Sequence, residues 1–142
     1  MDELPEGLSL PPFEARPHIP SASVMLSRVR EEGYEVLMGH RSSELPAFPD
    51  LWSFPGGGVS RVDRESAESH PEWLSEIGEA RLSVFTLLRE MVEEVGISPD
   101  GKGGFLEVDD EVREIVCKDK SGWLEVAESG MISTDGFECE II

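Results

Sequence analysis

Residues 89–97 read Arg-Glu-Met-Val-Glu-Glu-Val-Gly-Ile, and this run constrains the chain more than any other. At about 100° per residue on a helix, Glu90, Glu93 and Glu94 share one face. Val84, Phe85, Leu88, Met91, Val92 and Val95 fall on the other side. A helix of this kind buries its apolar side against a sheet or a second helix. Its three clustered acids repel one another unless a positive group lies among them. Hard divalent cations, which take oxygen ligands, meet that need.

Strand and turn signals precede the helix. In residues 21–29, Ala22, Val24 and Leu26 alternate with Ser23 and Ser27, which predicts a strand. Arg30-Glu31-Glu32-Gly33 reads as a turn, and residues 34–41 as a second strand, so the two form a hairpin. Residues 42–50, with Pro46 and Pro49, read as a loop. Trp52 to Phe54 is a short strand, with both rings on one side in the core, broken by Pro55 and the glycines at 56–58.

Residues 60–70 are polar and predict a surface loop. Ser69 and Glu72, with Pro71 between them, fit a capping box for a short helix through Trp73 and Ile77, which Gly78 ends. The main helix then spans residues 80–95. Gly96 stands where a left-handed cap belongs, and Pro99 stops continuation. Residues 100–104 read as a loop. Beyond it, 112–117, 123–126 and 137–142 are each rich in strand-forming residues. Residues 1–20 carry five prolines and predict an extended arm.

Composition excludes several classes. A chain of 142 residues can bury one real core. A net charge of −18 argues against binding nucleic acid through its phosphates. Lysine is confined to Lys102, Lys118 and Lys120, an acid-rich pattern that suits high salt but also an ordinary acidic protein. No apolar run approaches the roughly 20 residues of a membrane span. The first residues lack the basic start and apolar stretch of a secretory signal, so a cytoplasmic protein is expected. Cys117 and Cys139 have no metal-ligand spacing and are expected as free thiols.

The run at 89–97 resembles the second half of the Nudix box, G-x5-E-x7-R-E-U-x-E-E-x-G-U with U aliphatic. Arg89, Glu90, Met91, Glu93, Glu94, Gly96 and Ile97 meet each defined position of that half. Upstream, Leu51-Trp52-Ser53-Phe54-Pro55-Gly56-Gly57 is similar to the family's W-x-F-P-G-G. The resemblance covers residues 21–97. It implies an α/β fold, a Nudix-like mixed β-sheet with the box helix packed against it. Residues 21–142 would be a single such domain behind the arm at 1–20, with an insertion at about 59–80. The family has further strands and a helix after the box, so residues 97–142 are expected to be a shortened C-terminal part.

The resemblance assigns roles residue by residue. Glu90, Glu93 and Glu94 match positions that bind Mg²⁺ or Mn²⁺, with Glu90 as ligand or as the base that deprotonates water. Arg89 matches the arginine that orients these acids, and its spacing to Glu93 allows an ion pair along the helix. A carbonyl of Gly56 or Gly57 would complete the metal shell, although Gly58 leaves the register open. Arg41, at the end of the second strand, is placed to grip a phosphate. His18, His40 and His70 match no constellation, and Trp73 and Trp123 suit packing better than base stacking.

One departure stands out. Counted back from Arg89, the box spacing puts Arg81 where a glutamate is expected, and 21 residues separate Gly57 from Glu79. An interruption after F-P-G-G resembles the coenzyme A diphosphatase subgroup. The implied function is Mg²⁺- or Mn²⁺-dependent hydrolysis of a pyrophosphate bond in a nucleoside diphosphate derivative, coenzyme A-like or ADP-ribose-like. The implied partner is that small molecule, with no nucleic acid and no membrane; a second copy covering an open sheet edge would give a homodimer. The alternatives are a non-catalytic Nudix-like module that binds a nucleotide or protein, and an acidic protein whose three glutamates form a solvated helix face.

Overall fold

The computed structural model describes residues 19–46, 48–73, 78, 80–119 and 121–129. The arm at 1–18, Glu79 and the expected strand at 137–142 lie outside them. So does most of the short helix expected through Trp73 and Ile77.

Three chain segments build the strand layer. Each expected long strand is found as two short pieces: β1 (Ser21–Ser23) with β2 (Ser27–Arg30), and β3 (Gly33–Val36) with β4 (Gly39–His40). The third segment holds β5 (Trp52–Ser53) and β6 (Gly56–Gly58). The expected hairpin is present as β2–β3, with Val29 opposite Tyr34 and Arg28 opposite Glu35. β1 pairs with β6 and β4 with β5, and all these pairings are antiparallel. Single hydrogen bonds carry the pairing onward: Leu37 N–H to Leu26 O, Arg41 N–H to Leu51 O and Val24 N–H to Pro55 O, each 2.9 Å. Every segment therefore pairs with both others, and the breaks in the strands mark where a segment changes partner.

The glycines at 56–58, expected to end the strand, instead form β6 within the layer. Gly56 has φ 150°, and a Cβ there would lie 2.7 Å from Ser23 Cα. Only glycine permits this approach of β6 to β1.

Helix α1 (Arg61–Ser69) occupies the run expected as a surface loop. Ser60 Oγ accepts from Asp63 N–H, and the Asp63 carboxylate accepts from Ser60 N–H, which closes a capping box. Val62, Asp63, Ser66 and Ala67 face inward. Two of these four are polar, so the apolar periodicity that marks a buried helix is missing. Ser69, expected to start a helix, ends this one.

The central helix begins as α2 (Arg81–Glu90) and packs against α1 on one side and β1 and β6 on another. Its last turn, Met91–Val95, is π-helical, which the even 100° spacing did not anticipate. Gly96 caps it at φ 76°, as expected. β7 (Ile97–Pro99) then pairs antiparallel with β8 (Phe105–Glu107).

The strands expected at 112–117 and 123–126 are instead α3 (Asp110–Lys118) and α4 (Gly122–Glu128). β-Branched and aromatic residues favoured a strand reading. However, Val112 and Val116 stand one helical turn apart, as do Trp123 and Val126, so helices place them on the core. That core joins Val62, Val84, Leu88, Val92, Val116, Trp123 and Val126. Trp123 is fully buried, so packing is its role. Trp52, expected in the core, is 65% exposed, its ring tilted against His40 on the edge pair β4–β5. Cys117 is a free thiol, and Cys139 lies outside the described residues. Among the described residues no helix is long and apolar enough to cross a membrane.

Trp123 is the largest side chain shared by α1, α2, α3 and α4. Trp123→Ala is expected to lower the unfolding free energy by about 3–5 kcal/mol. Guanidinium titration followed by far-UV circular dichroism measures it; a loss below about 1 kcal/mol would contradict this packing.

Candidate functional site

The site is built around Arg89, whose side chain is fully buried. Burying a charge is costly unless it is paired and hydrogen-bonded. Arg89 Nε donates to Asp63 Oδ1 at 2.8 Å and Nη2 to Asp63 Oδ2 at 3.1 Å. Nη1 donates to Glu93 Oε2 at 2.9 Å, and Nη2 lies 2.7 Å from Glu90 Oε1. Nη2 also reaches Gly58 O at 3.4 Å. One guanidinium thus ties α1, the central helix and β6 together.

Asp63 is the residue the sequence reading missed. Besides Arg89, its carboxylate accepts from Ser60 N–H at 2.8 Å, Ser60 Oγ at 2.9 Å and Thr86 Oγ1 at 3.1 Å. Two signals were available. Ser60 and Asp63 have capping-box spacing, and Gly57-x5-Asp63 meets the first interval of the Nudix box with aspartate in place of glutamate. Counting backward from Arg89 concealed it. Arg81, which that count put at the acid position, is a brace instead: it donates to the carbonyls of His70 and Trp73 and lies 5.0 Å from the Phe85 ring centre.

The glycine bend touches the acids. A Cβ on Gly57 would lie 2.7 Å from Glu90 Cδ, so the bend and that carboxyl group are in direct contact. Gly56 N–H donates to Glu94 Oε2 at 2.9 Å. Gly58 offers its carbonyl to Arg89. All three glycines therefore border the acids and Arg89. Glu90 is buried, Glu93 half-buried and Glu94 exposed.

The electrostatics differ from one acid to the next. Burial raises the Asp63 pKa, but the bonds from Arg89 and Ser60 outweigh it and hold the carboxyl below its ordinary value. Burial also works against the Arg89 cation, and Asp63 and Glu90 more than restore it. Glu90 moves the other way. Burial pushes its carboxyl up, Arg89 pulls it down, and the charges of Glu93 and Glu94 add to the rise.

The three glutamates lie on one side of the helix but do not converge. Among the described residues, no three His, Cys, Asp or Glu side chains form a group able to hold a metal ion. Glu93 is drawn to Arg89 and Glu94 to Gly56. The donor set nevertheless suits a hard cation: it is all oxygen, and Glu90 and Glu93 share the single buried cation of Arg89 with Asp63.

Beside Glu94 opens a cleft of about 490 Å³, lined among others by Leu37, Met38, Phe54, Val95 and Arg41. Arg41 Nε donates to Phe48 O at 3.2 Å, which directs the side chain. Nothing in the sequence spacing puts Arg41 and Glu94 on one cleft; the fold does. His40 also borders this cleft, whereas His70 stacks on Trp73 and Trp73 on Phe85. His18 lies outside the described residues.

Neither a protein-family model nor a curated protein matches the chain. Among solved structures, a NUDIX hydrolase from Alicyclobacillus acidocaldarius has a similar fold, with a TM-score of 0.62 and 21% identity. The match covers 82% of this chain and 56% of that one, so the chain spans little more than half the length of its neighbour. The likeness shows a Nudix-like fold of helices and small antiparallel sheets; it does not reach the coenzyme A diphosphatase subgroup.

Asp63→Asn removes the charge that best matches a buried guanidinium. It is expected to destabilise the fold by about 3–5 kcal/mol near neutral pH. Because the Asp63 pKa is lowered by folding, its contribution is full above about pH 4 and is lost as the pH falls through the folded value. The gap between the variant and the wild type should therefore close in acid. Glu90, with a raised pKa, has the opposite sign. The stability of Glu90→Gln relative to wild type should rise as the pH climbs above about 4.3. Urea midpoints across this range test both signs.

Proposed function

We propose that the protein hydrolyses the pyrophosphate bond of a nucleoside diphosphate derivative, using Mg²⁺ or Mn²⁺ held by Glu90, Glu93 and Glu94 beside Gly56 and Gly57. One observation carries this reading: Glu90 touches Gly57 and Glu94 accepts from Gly56 N–H, and Glu94 lines a cleft that Arg41 also lines. The Nudix-like fold supports it.

Each residue of the set has a role in this reading. A divalent ion at these carboxylates supplies neutralisation of the phosphate oxygens and a more acidic bound water. Glu93 and Glu94 are the proposed ligands, and a backbone carbonyl of the glycine bend is a further oxygen donor. Glu90, whose carboxyl is raised and buried, is ligand or proton acceptor for the attacking water. Arg89 holds Glu90 and Glu93 in place and draws its own charge balance from Asp63. Arg41 contacts a phosphate. Coenzyme A-like and ADP-ribose-like compounds are the leading substrates, and a cytoplasmic setting suits them.

A second reading has its own observation. Glu93 and Glu94 are engaged by internal donors, which suits a module that binds a nucleotide without cleaving it. Calorimetry with product analysis separates the two.

A screen of nucleotide pyrophosphates with Mg²⁺ and Mn²⁺, read by release of monophosphates, should show turnover. Glu90→Gln is expected to reduce kcat about 10²–10⁴-fold. Glu94→Gln should also abolish activity while the fold remains intact, because Glu94 is exposed. Unchanged turnover in Glu94→Gln would eliminate the site. Saturating Mg²⁺ should stabilise the wild type, by about 2.7 kcal/mol at a hundred times its Kd, and the variants much less.

A further inference from the structure

We infer that Arg113, on α3, is a positioning residue for this site, fixing the π-helical turn from which Glu93 and Glu94 project. The inference rests on the proposed reading of those two acids, but its argument is one of backbone geometry.

A helix ends with carbonyls that have no partner inside it. Here the turn is widened. Gly96 N–H donates to Met91 O at 2.8 Å as well as to Val92 O at 3.1 Å, so the shorter bond spans five residues rather than four. In such a turn successive side chains rotate by less than the α-helical step, and Glu93 and Glu94 lag behind their α-helical directions. Their carbonyls face α3, and Arg113 meets both. Its Nε and Nη2 each lie 3.3 Å from Glu93 O, and Nη2 lies 3.2 Å from Glu94 O. Cys117 Sγ donates weakly to Glu93 O at 3.6 Å. A cation at this end of a helix is also favoured by the aligned peptide dipoles.

The two acids are therefore held at both ends. Arg113 fixes their carbonyls from one side. On the other, Arg89 holds the Glu93 carboxylate and Gly56 N–H the Glu94 carboxylate. With Arg113 gone, two partly enclosed carbonyls lose a charged donor. The turn can then relax to α-helical spacing, which rotates Glu94 away from Gly56. The clamp comes from a helix 20 residues further along the chain, outside the run that marks the site.

The test uses the full chain with Arg113→Ala, Arg113→Lys and, as a packing control, Val116→Ala. Val116 lies on the same helix, fully buried in the core, and its side chain has no hydrogen-bond donor for these carbonyls. Hydrogen exchange at the Gly96 amide reads the turn, and Mn²⁺ titration followed by water-proton relaxation reads the acids. Arg113→Ala should speed Gly96 exchange and weaken Mn²⁺ binding by about 10–100-fold. Arg113→Lys, which keeps a cationic donor, should restore most of both. Val116→Ala should lower the urea midpoint and leave the Mn²⁺ affinity of the folded protein unchanged. Wild-type affinity in Arg113→Ala, or equal weakening in Val116→Ala, would overturn the inference. If Arg113→Ala does not fold, Arg113→Gln, an uncharged donor, takes its place with the same expected direction. If the wild type neither binds Mn²⁺ nor cleaves any pyrophosphate, the proposed function fails, and Gly96 exchange still decides whether Arg113 holds the turn.

Discussion

A guanidinium shut away from water sets the terms for its surroundings. Arg89 cannot be buried without carboxylates around it, and they come from two places: Glu90 and Glu93 on its own helix, and Asp63 on α1. The need for Asp63 explains why a polar run folds as a helix and docks on α2. It also explains the capping box, because Ser60 both starts α1 and supplies two of the hydrogen bonds that satisfy Asp63. The segment between the glycine bend and the box helix is therefore part of the site's foundation.

The balance around Arg89 is unequal. Asp63 takes the most complete set of donors and remains ionised. Burial raises the proton affinity of Glu90 more than its one shared cation lowers it, and two like charges add to the rise. Two carboxyl groups linked through one arginine are thus pushed in opposite directions by burial and hydrogen bonding. Excess negative charge beside the glycines of β6, with Glu94 lining a cleft, is an arrangement that a hard cation would relieve. In the proposed enzyme this excess is useful, and Arg89 limits it without cancelling it.

The strand layer and the helices divide the remaining work. The layer brings the glycines of β6 against the central helix through β1 and β6, and Arg41 and Glu94 line one cleft. The helices α1, α3 and α4 close the core over the other side of α2, with Trp123 at its centre. α3 then serves twice: Val116 packs the core while Arg113 reaches the carbonyls of the π-helical turn.

Local signals were read correctly because each depends on a few neighbouring residues. The apolar back and acidic face of the box helix, the left-handed cap at Gly96 and the hairpin around Gly33 are of this kind. Errors arose where packing outweighed local preference: polar residues hid α1, and β-branched residues disguised α3 and α4 as strands. The sequence alone determined which acids lie near one another along the central helix, since helical spacing is a property of the chain. Tertiary structure decided what those acids face: Asp63 through Arg89, the bend at Gly56 and Gly57, Arg41 across the cleft and Arg113 behind the turn. These neighbours are far apart in the chain, and only the closing of a shared core brings them together.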